Sequence, residues 1–213
     1  MNNRTYPFIG IPIVAIGIFF IFSIFTASDN AIAPDSFSEF DFTYVDANSQ
    51  LKESLASMGI SMSSSVKLSK IEDIKKYCSF FSNEKMDDVV EYCTSTELRT
   101  SEKKFLGNIH MIGSQNSPKI VLIVIQDDPF LQNLNYTKSV YETVIDNLIC
   151  NCWEDIGPED IESVGDWIDA QKNFHLGDKN PTSKSYANLM SFQLQLELTT
   201  NTEGYLWKLM ISK

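Results

Sequence analysis

The chain has 213 residues, 43% of them hydrophobic, and a formal net charge of −11. An acidic surplus of that size argues against nucleic acid or an anionic lipid surface as partner, because both repel it. The length suits one folded domain: a chain of this order buries roughly 70% of its unfolded surface, enough for a single good core.

In chain order, the first feature is residues 8–27, FIGIPIVAIGIFFIFSIFTA, which carry no charge. At about 1.5 Å per residue the run spans roughly 30 Å, the thickness of a bilayer's hydrocarbon core, so a transmembrane helix is predicted. Gly10, Pro12 and Gly17 suit that reading, since membrane helices tolerate them. Arg4 stands before the span and Asp29, Asp35, Glu39, Asp41 and Asp46 follow it. The positive-inside rule then makes residues 1–7 a cytoplasmic tail and puts the rest of the chain outside, as in a signal anchor. A cleaved signal peptide competes, with sites at Thr26-Ala27-Ser28 or Ala31-Ile32-Ala33. Against cleavage stand an apolar run longer than the usual h-region and Pro34 directly after the second site.

Residues 28–50 are polar and acidic and read as a tether, inside which Phe40, Phe42 and Tyr44 alternate with Asp41 and Thr43 like a strand. The folded domain is expected over residues 51–213. Leu51, Leu55 and Met58 are spaced as a short helix that Gly59 closes, and residues 60–68 alternate weakly as a strand. Ser69-Lys70-Ile71-Glu72 fits a capping box opening a helix with Ile71, Ile74, Cys78 and Phe81 on one face. After Ser82-Asn83 a second helix is predicted to carry Met86, Val89, Val90 and Cys93 inward, giving a helical hairpin.

Residues 105–112 and 119–126 read as two strands around a turn at Asn116-Ser117-Pro118, the second apolar on both faces and therefore central. A helix over about residues 138–153 places Val140, Tyr141, Val144, Ile145, Leu148, Ile149 and Cys152 on one face, until Gly157-Pro158 breaks it. The next helix presents Val164, Trp167, Ile168, Gln171 and Phe174, and residues 175–185 form the most mobile loop. Last comes a hairpin in which Phe192, Leu194, Leu196 and Leu198 alternate with polar residues before a turn at 201–204. The pattern specifies an α+β domain, an antiparallel sheet with helices packed on one face.

Four cysteines outside the cytoplasm form disulfides by default, with three connectivities open. Cys78 and Cys93, on facing stripes of the helical hairpin, are the expected pair, and closing a loop of about 15 residues stabilises by roughly 3 kcal/mol. For Cys150 and Cys152 three outcomes stay open. Positions two apart point about 200° away from each other on a helix. Either the helix frays before Cys150 and the two bond, or each pairs with Cys78 or Cys93, or both remain thiols. Metal binding by this C-x-C pair would need further ligands, and neither His110 nor His175 lies at motif spacing from it.

His110 falls on a strand among Leu106, Asn108 and Ile112, and His175 ends a helix whose dipole suits a cation; a structural role accounts for both. Asp127-Asp128, where the central strand ends, is the acidic pair placed like a site, with Glu154 and Asp155 as conceivable co-ligands for a divalent cation. A strand-stopping Asp-Asp-Pro turn explains it without a ligand. Trp153, Trp167 and Trp207 fall on core periodicities, and Asn135-Tyr136-Thr137 is a glycosylation sequon in a loop before a helix. The chain carries no G-x-S-x-G, phosphate-binding glycine loop, H-E-x-x-H or dinucleotide fingerprint.

These features predict a single-pass membrane protein held in the bilayer by residues 8–27. Its outer domain is expected to bind or assemble in the cell envelope, for example as an accessory subunit of a membrane complex. No cofactor is expected. An envelope thiol or metal-handling protein using Cys150 and Cys152 is the alternative, and a hydrolase using Asp127, Asp128 and His110 a weaker third.

Overall fold

A threonine that accepts the backbone N–H three residues on, from an acid that accepts its hydroxyl in return, starts a helix. Thr43 does this: its Oγ1 accepts from the Asp46 amide at 3.2 Å and donates to Asp46 Oδ2 at 2.8 Å. Helix α1 (Tyr44–Ser57) therefore begins inside the stretch read as a tether and strand, and Phe40, Tyr44 and Ala47 are already core residues. The aromatic alternation at 40–44 that suggested a strand is a capped helix start with its rings packed inward. Gly59, at φ +75°, ends α1 in the left-handed conformation that glycine adopts without cost.

The computed structural model describes residues 37–70, 72–74, 78, 91–158, 160–177 and 180–213. Residues 8–27 lie outside these, as do Met86, Val89 and Val90 of the predicted second hairpin helix. Among the described residues no helix is long and apolar enough to cross a membrane.

After α1 come β1 (Ser61–Met62), β2 (Val66–Leu68), β3 (Tyr92–Arg99), β4 (Phe105–Gly113) and β5 (Pro118–Asp127). Then follow α2 (Leu134–Leu148), the short α3 (Trp153–Ile156), α4 (Val164–Gly177) and strands β6 (Thr182–Leu189), β7 (Phe192–Asn201) and β8 (Gly204–Ser212). All eight strands join one antiparallel sheet in the order β1-β3-β4-β5-β8-β7-β6, with β2 also on β3. The weak strand of residues 60–68 is thus one edge in two pieces. At the break Ser63 keeps contact with β3, its N–H donating to Glu97 O at 2.9 Å and its Oγ accepting from the Glu97 amide at 3.0 Å.

Strand β5 is central, as its apolar run requires, and its two faces serve two clusters. Val121, Ile123 and Ile125 point into the main core with Leu209, Ile211, Leu194, Leu196 and Leu198, beneath Leu51, Leu55, Val140, Val144 and Ile168 of the helices. Ile120, Leu122 and Val124 point the other way, to a smaller cluster with Leu68, Ile74, Cys78, Cys93 and Ile112. Helices α1, α2 and α4 cover the inner face. The turn carrying Ile74 covers part of the outer one, so the helical covering is not confined to one side. Beyond β5 the outer face is wet: Lys184, Glu197 and Lys208 lie side by side across β6, β7 and β8, with Lys208 Nζ 2.7 Å from the carboxylate.

Burial also corrects two side chains of α4. Phe174 is exposed, whereas His175 is buried with Val164, Trp167, Ile168 and Gln171. Of residues 175–185, read as a loop, 175–177 instead finish α4 and 182–185 begin β6. The tryptophans are buried core residues, with the rings of Trp153 and Trp167 5.5 Å apart in a tilted arrangement.

Tyr141, on α2, is wholly buried, and among the described residues its hydroxyl meets no hydrogen-bond partner. An unpaired buried hydroxyl costs about 1–3 kcal/mol. Tyr141→Phe is expected to raise stability by about 1 kcal/mol, read as a higher urea midpoint at unchanged slope; a lower midpoint would mean that the hydroxyl has a partner.

Candidate functional site

The residues singled out by sequence fall into four separate places. The acidic pair ends β5. Asp127 is fully buried, and its Oδ1 accepts from the Asp128 amide at 3.0 Å and the Asn133 amide at 2.8 Å. Asp128 Oδ1 accepts from the amides of Phe130 and Gln132 at 2.8 and 3.2 Å. These bonds wind residues 127–133 into a tight loop that delivers the chain to α2, so the turn reading holds. Burial pushes the Asp127 carboxyl up from its ordinary range, against the pull of the two amides.

A raised acid favours the protonated native state. Its effect on stability therefore grows more favourable as pH falls through the folded value and less favourable as pH rises. Removing the cap is the larger effect: Asp127→Ala is expected to cost about 1–2 kcal/mol, by analogy with lost helix caps, and Asp127→Asn less, since Asn keeps an acceptor oxygen. Equal losses in thermal melts would overturn this account.

Asp127 and His110 share no site. His110 pairs with Leu122 and Asp127 lies five residues further along β5, roughly 16 Å away at strand rise. Their side chains also leave opposite faces, His110 with Leu122 on the outer face and Asp127 with Ile123 and Ile125 on the inner. A hydrolase built from Asp127, Asp128 and His110 is excluded by that dispersal. Leu106, expected beside His110, turns to the main core because the β3–β4 register shifts between Leu98 and Arg99.

Helix α2 stops at Leu148, before both cysteines, and Cys150 and Cys152 are joined in a disulfide with their Cα atoms 5.2 Å apart. Of the three outcomes open from sequence, the frayed helix is the one found. The same early start of α2 places Asn135 in its first turn rather than in a loop. Asn135 is exposed, but the sequon's Thr137 is buried, its Oγ1 donating to Asn133 O at 3.2 Å.

Cys78 and Cys93 are also joined, so none of the four cysteines is free. The pairing is as expected but its setting is not: Cys93 lies on β3, not on a helix. Thr94, Thr96 and Leu98 of that strand face the main core while Cys93 faces outward beside Ile112. This puts the disulfide on the face that carries His110. Cys78, Cys93 and His110 are all buried, and their sulfur and ring nitrogen atoms lie within 4.8 Å of one another. Burial in this apolar cluster pushes the His110 imidazole down to about 4, so it is neutral at physiological pH.

His175 sits in a second network that sequence reasoning missed. Its Nδ1 is 2.9 Å from Ser183 Oγ and its Nε2 is 2.8 Å from Thr200 Oγ1, while Gln171 Nε2 donates to Ser183 Oγ at 2.7 Å. Ser183 and Gln171 are themselves buried, so this serine–histidine pair is sealed beneath α4. It pins the last turn of that helix to β6 and β7. The legible signal was Gln171 at i−4 from His175, two polar groups on one helical stripe.

The only constellation of the four in which metal-ligating groups converge is Cys78, Cys93 and His110. No protein family, curated protein or solved structure matches the chain.

Proposed function

We propose that the chain is a single-pass membrane protein with its N-terminus inside. In this reading residues 37–213 are a disulfide-stapled α+β domain outside the cytoplasm that binds or assembles with another envelope protein. The observation that carries the reading is the Cys78–Cys93 disulfide, joined across a buried sheet face. Disulfides of this kind persist in oxidising compartments and are rare in the cytosol. The uncharged run at residues 8–27 supplies the anchor. The described fold reaches back to Phe37, so the folded domain begins nearer in sequence to that run than residue 51. The polar outer face of β6, β7 and β8 suits a wet, reversible interface.

The test is intact mass of the full chain, expressed with its N-terminal segment and alkylated first without reductant and then after reduction. No alkylation before reduction and four additions after it support an oxidised outer domain. Thiols at Cys150 and Cys152 that react at once would favour the thiol-handling alternative. Resistance of the chain to alkaline extraction from membranes tests the anchor. Purification in mild detergent tests the partner, and a chain that emerges alone counts against assembly.

A further inference from the structure

Two sulfurs and an imidazole converging in an apolar shell are the donor set of a soft-metal centre. Cys93 and His110 reach that point from neighbouring strands, His110 opposite Ser95 and Cys93 opposite Ile112, so both are held by the ladder of β3 and β4. Cys78 arrives from the turn that crosses the outer face, following Ile74. We propose that the Cys78–Cys93 disulfide is the oxidised form of a zinc site, in which both thiolates and the His110 imidazole hold one Zn2+ ion once the bond is reduced.

The backbone spacing suits such a site. The Cα atoms of the two cysteines stand 6.9 Å apart, at the wide limit for a disulfide, with room for two sulfurs that share a metal. Zinc bonds of about 2.0–2.3 Å bring tetrahedral ligand atoms to roughly 3.8 Å from one another. On reduction the two sulfurs part by roughly 1.8 Å to reach that separation, while the imidazole nitrogen, within 4.8 Å of both, closes by about 1 Å at most. The fourth tetrahedral position is left to a small exogenous ligand such as water. Leu68, Ile112, Ile120 and Leu122 surround the donors with apolar groups, which strengthens charge-assisted bonds to the ion.

The chemistry balances with a dithiol as reductant. Two electrons and two protons pass from the dithiol to the cysteine pair; the S–S bond breaks, two thiols form, and the dithiol closes to its own disulfide. Zn2+ then displaces the two thiol protons. Oxidation expels the ion by the reverse path, which makes zinc occupancy a reporter of redox state. The inference stands independently of the membrane anchor.

The experiment uses the full chain in detergent, with Cys150→Ser and Cys152→Ser so that every thiol counted belongs to this pair. After reduction by a phosphine and removal of excess, the protein is equilibrated with Zn2+ and its metal content measured. One zinc per reduced chain and none per oxidised chain is the expected result, with Co2+ in place of zinc giving thiolate-to-metal charge-transfer absorption. His110→Gln is expected to weaken zinc binding at least about tenfold, with the circular dichroism of the oxidised protein unchanged. Three results would overturn the proposal: a folded, reduced chain that takes up no zinc, equal affinity in the His110→Gln variant, or unfolding on reduction that zinc does not reverse.

Discussion

Replacing Gly107 by alanine is expected to lower the unfolding free energy by about 3 kcal/mol, the upper part of the range for overpacking a core. A Cβ at this position of β4 would stand 2.0 Å from the carbonyl oxygen of Val124 and 2.9 Å from Ile125 Cα, both backbone atoms of central strand β5. Neither can swing aside as a side chain can. Relief requires β4 to back away from β5, which lengthens the ladder that runs from Gly107 to Gly113. Gly165, in the first turn of α4, is the control: a Cβ there meets only Ser163 Oγ at 3.5 Å and Lys138 Cδ at 3.7 Å, ordinary contacts. Gly165→Ala is expected to be neutral or to stabilise by up to about 1 kcal/mol through helix propensity. Urea melts of the two variants at equal slope decide the matter, and similar midpoints would refute the account. Because His110 lies three residues beyond Gly107 on the same strand, a displaced β4 is also expected to disturb the His110–Cys93 spacing.

The parts of the fold that were readable from sequence are those where burial alone sets the pattern. Strand β5 is apolar on both faces because it lies between β4 and β8 with a cluster on each side, and nothing but a central strand fits that run. The β7–β8 hairpin alternates because one face meets the helices and the other water. Strand β3 was missed for the converse reason. In YCTSTELR the inward positions are Thr94, Thr96 and Leu98, so hydroxyls stand where hydrophobic residues were sought, and Thr96 meets its need with Asn48 Oδ1 of α1 at 3.0 Å. Strand β6 hid in the same way, with Ser183 and Ser185 on its inward face. The start of α1 was misread because Phe40, Phe42 and Tyr44 alternate in sequence although Phe40 and Phe42 lie in irregular backbone, their rings stacked at 5.0 Å.

For the candidate site the sequence offered a correct pairing on a mistaken scaffold. Cys78 and Cys93 were matched through two helices that were to face each other, whereas Cys93 belongs to a strand beside the one that carries His110. Helical spacing of Met86, Val89, Val90 and Cys93 is a local pattern, and it cannot register that Tyr92 onward pairs with residues 105–113 through a turn. The nearness of His110 to Cys93 is hidden in sequence for the same reason: the two are 17 positions apart and close only because β3 and β4 run antiparallel. The C-x-C pair drew attention because its members are adjacent in the chain, yet adjacency made it the easier disulfide to close once α2 ended at Leu148.

Acidification offers the second large effect. Between pH 7 and pH 4 the oxidised protein is expected to lose about 3 kcal/mol of stability through His110 alone. Burial pushes the folded imidazole from its ordinary value of 6.5 down to about 4, and each unit of difference is worth about 1.4 kcal/mol. Since the folded value lies below the unfolded one, the unfolded chain binds the proton first. The contribution is complete above pH 6.5 and is lost as pH falls through the window down to about 4. The positions opposite His110, Ser95 on β3 and Leu122 on β5, carry no charge that would welcome an imidazolium. Other groups act in neighbouring ranges. Asp127, with its raised carboxyl, stabilises in acid, whereas Asp169 and Glu197, held below the usual carboxylate range despite burial by Lys138 and Lys172 and by Lys208 and Lys184, lose stability there. The readout is therefore the difference between the parent and His110→Leu, whose side chain suits the surrounding Leu122 and Ile112 and cannot titrate. Urea unfolding at several pH values is expected to show a steeper fall for the parent across that window. Parallel curves would mean that the histidine is already charged, or already wet, in the folded state, and would refute this account.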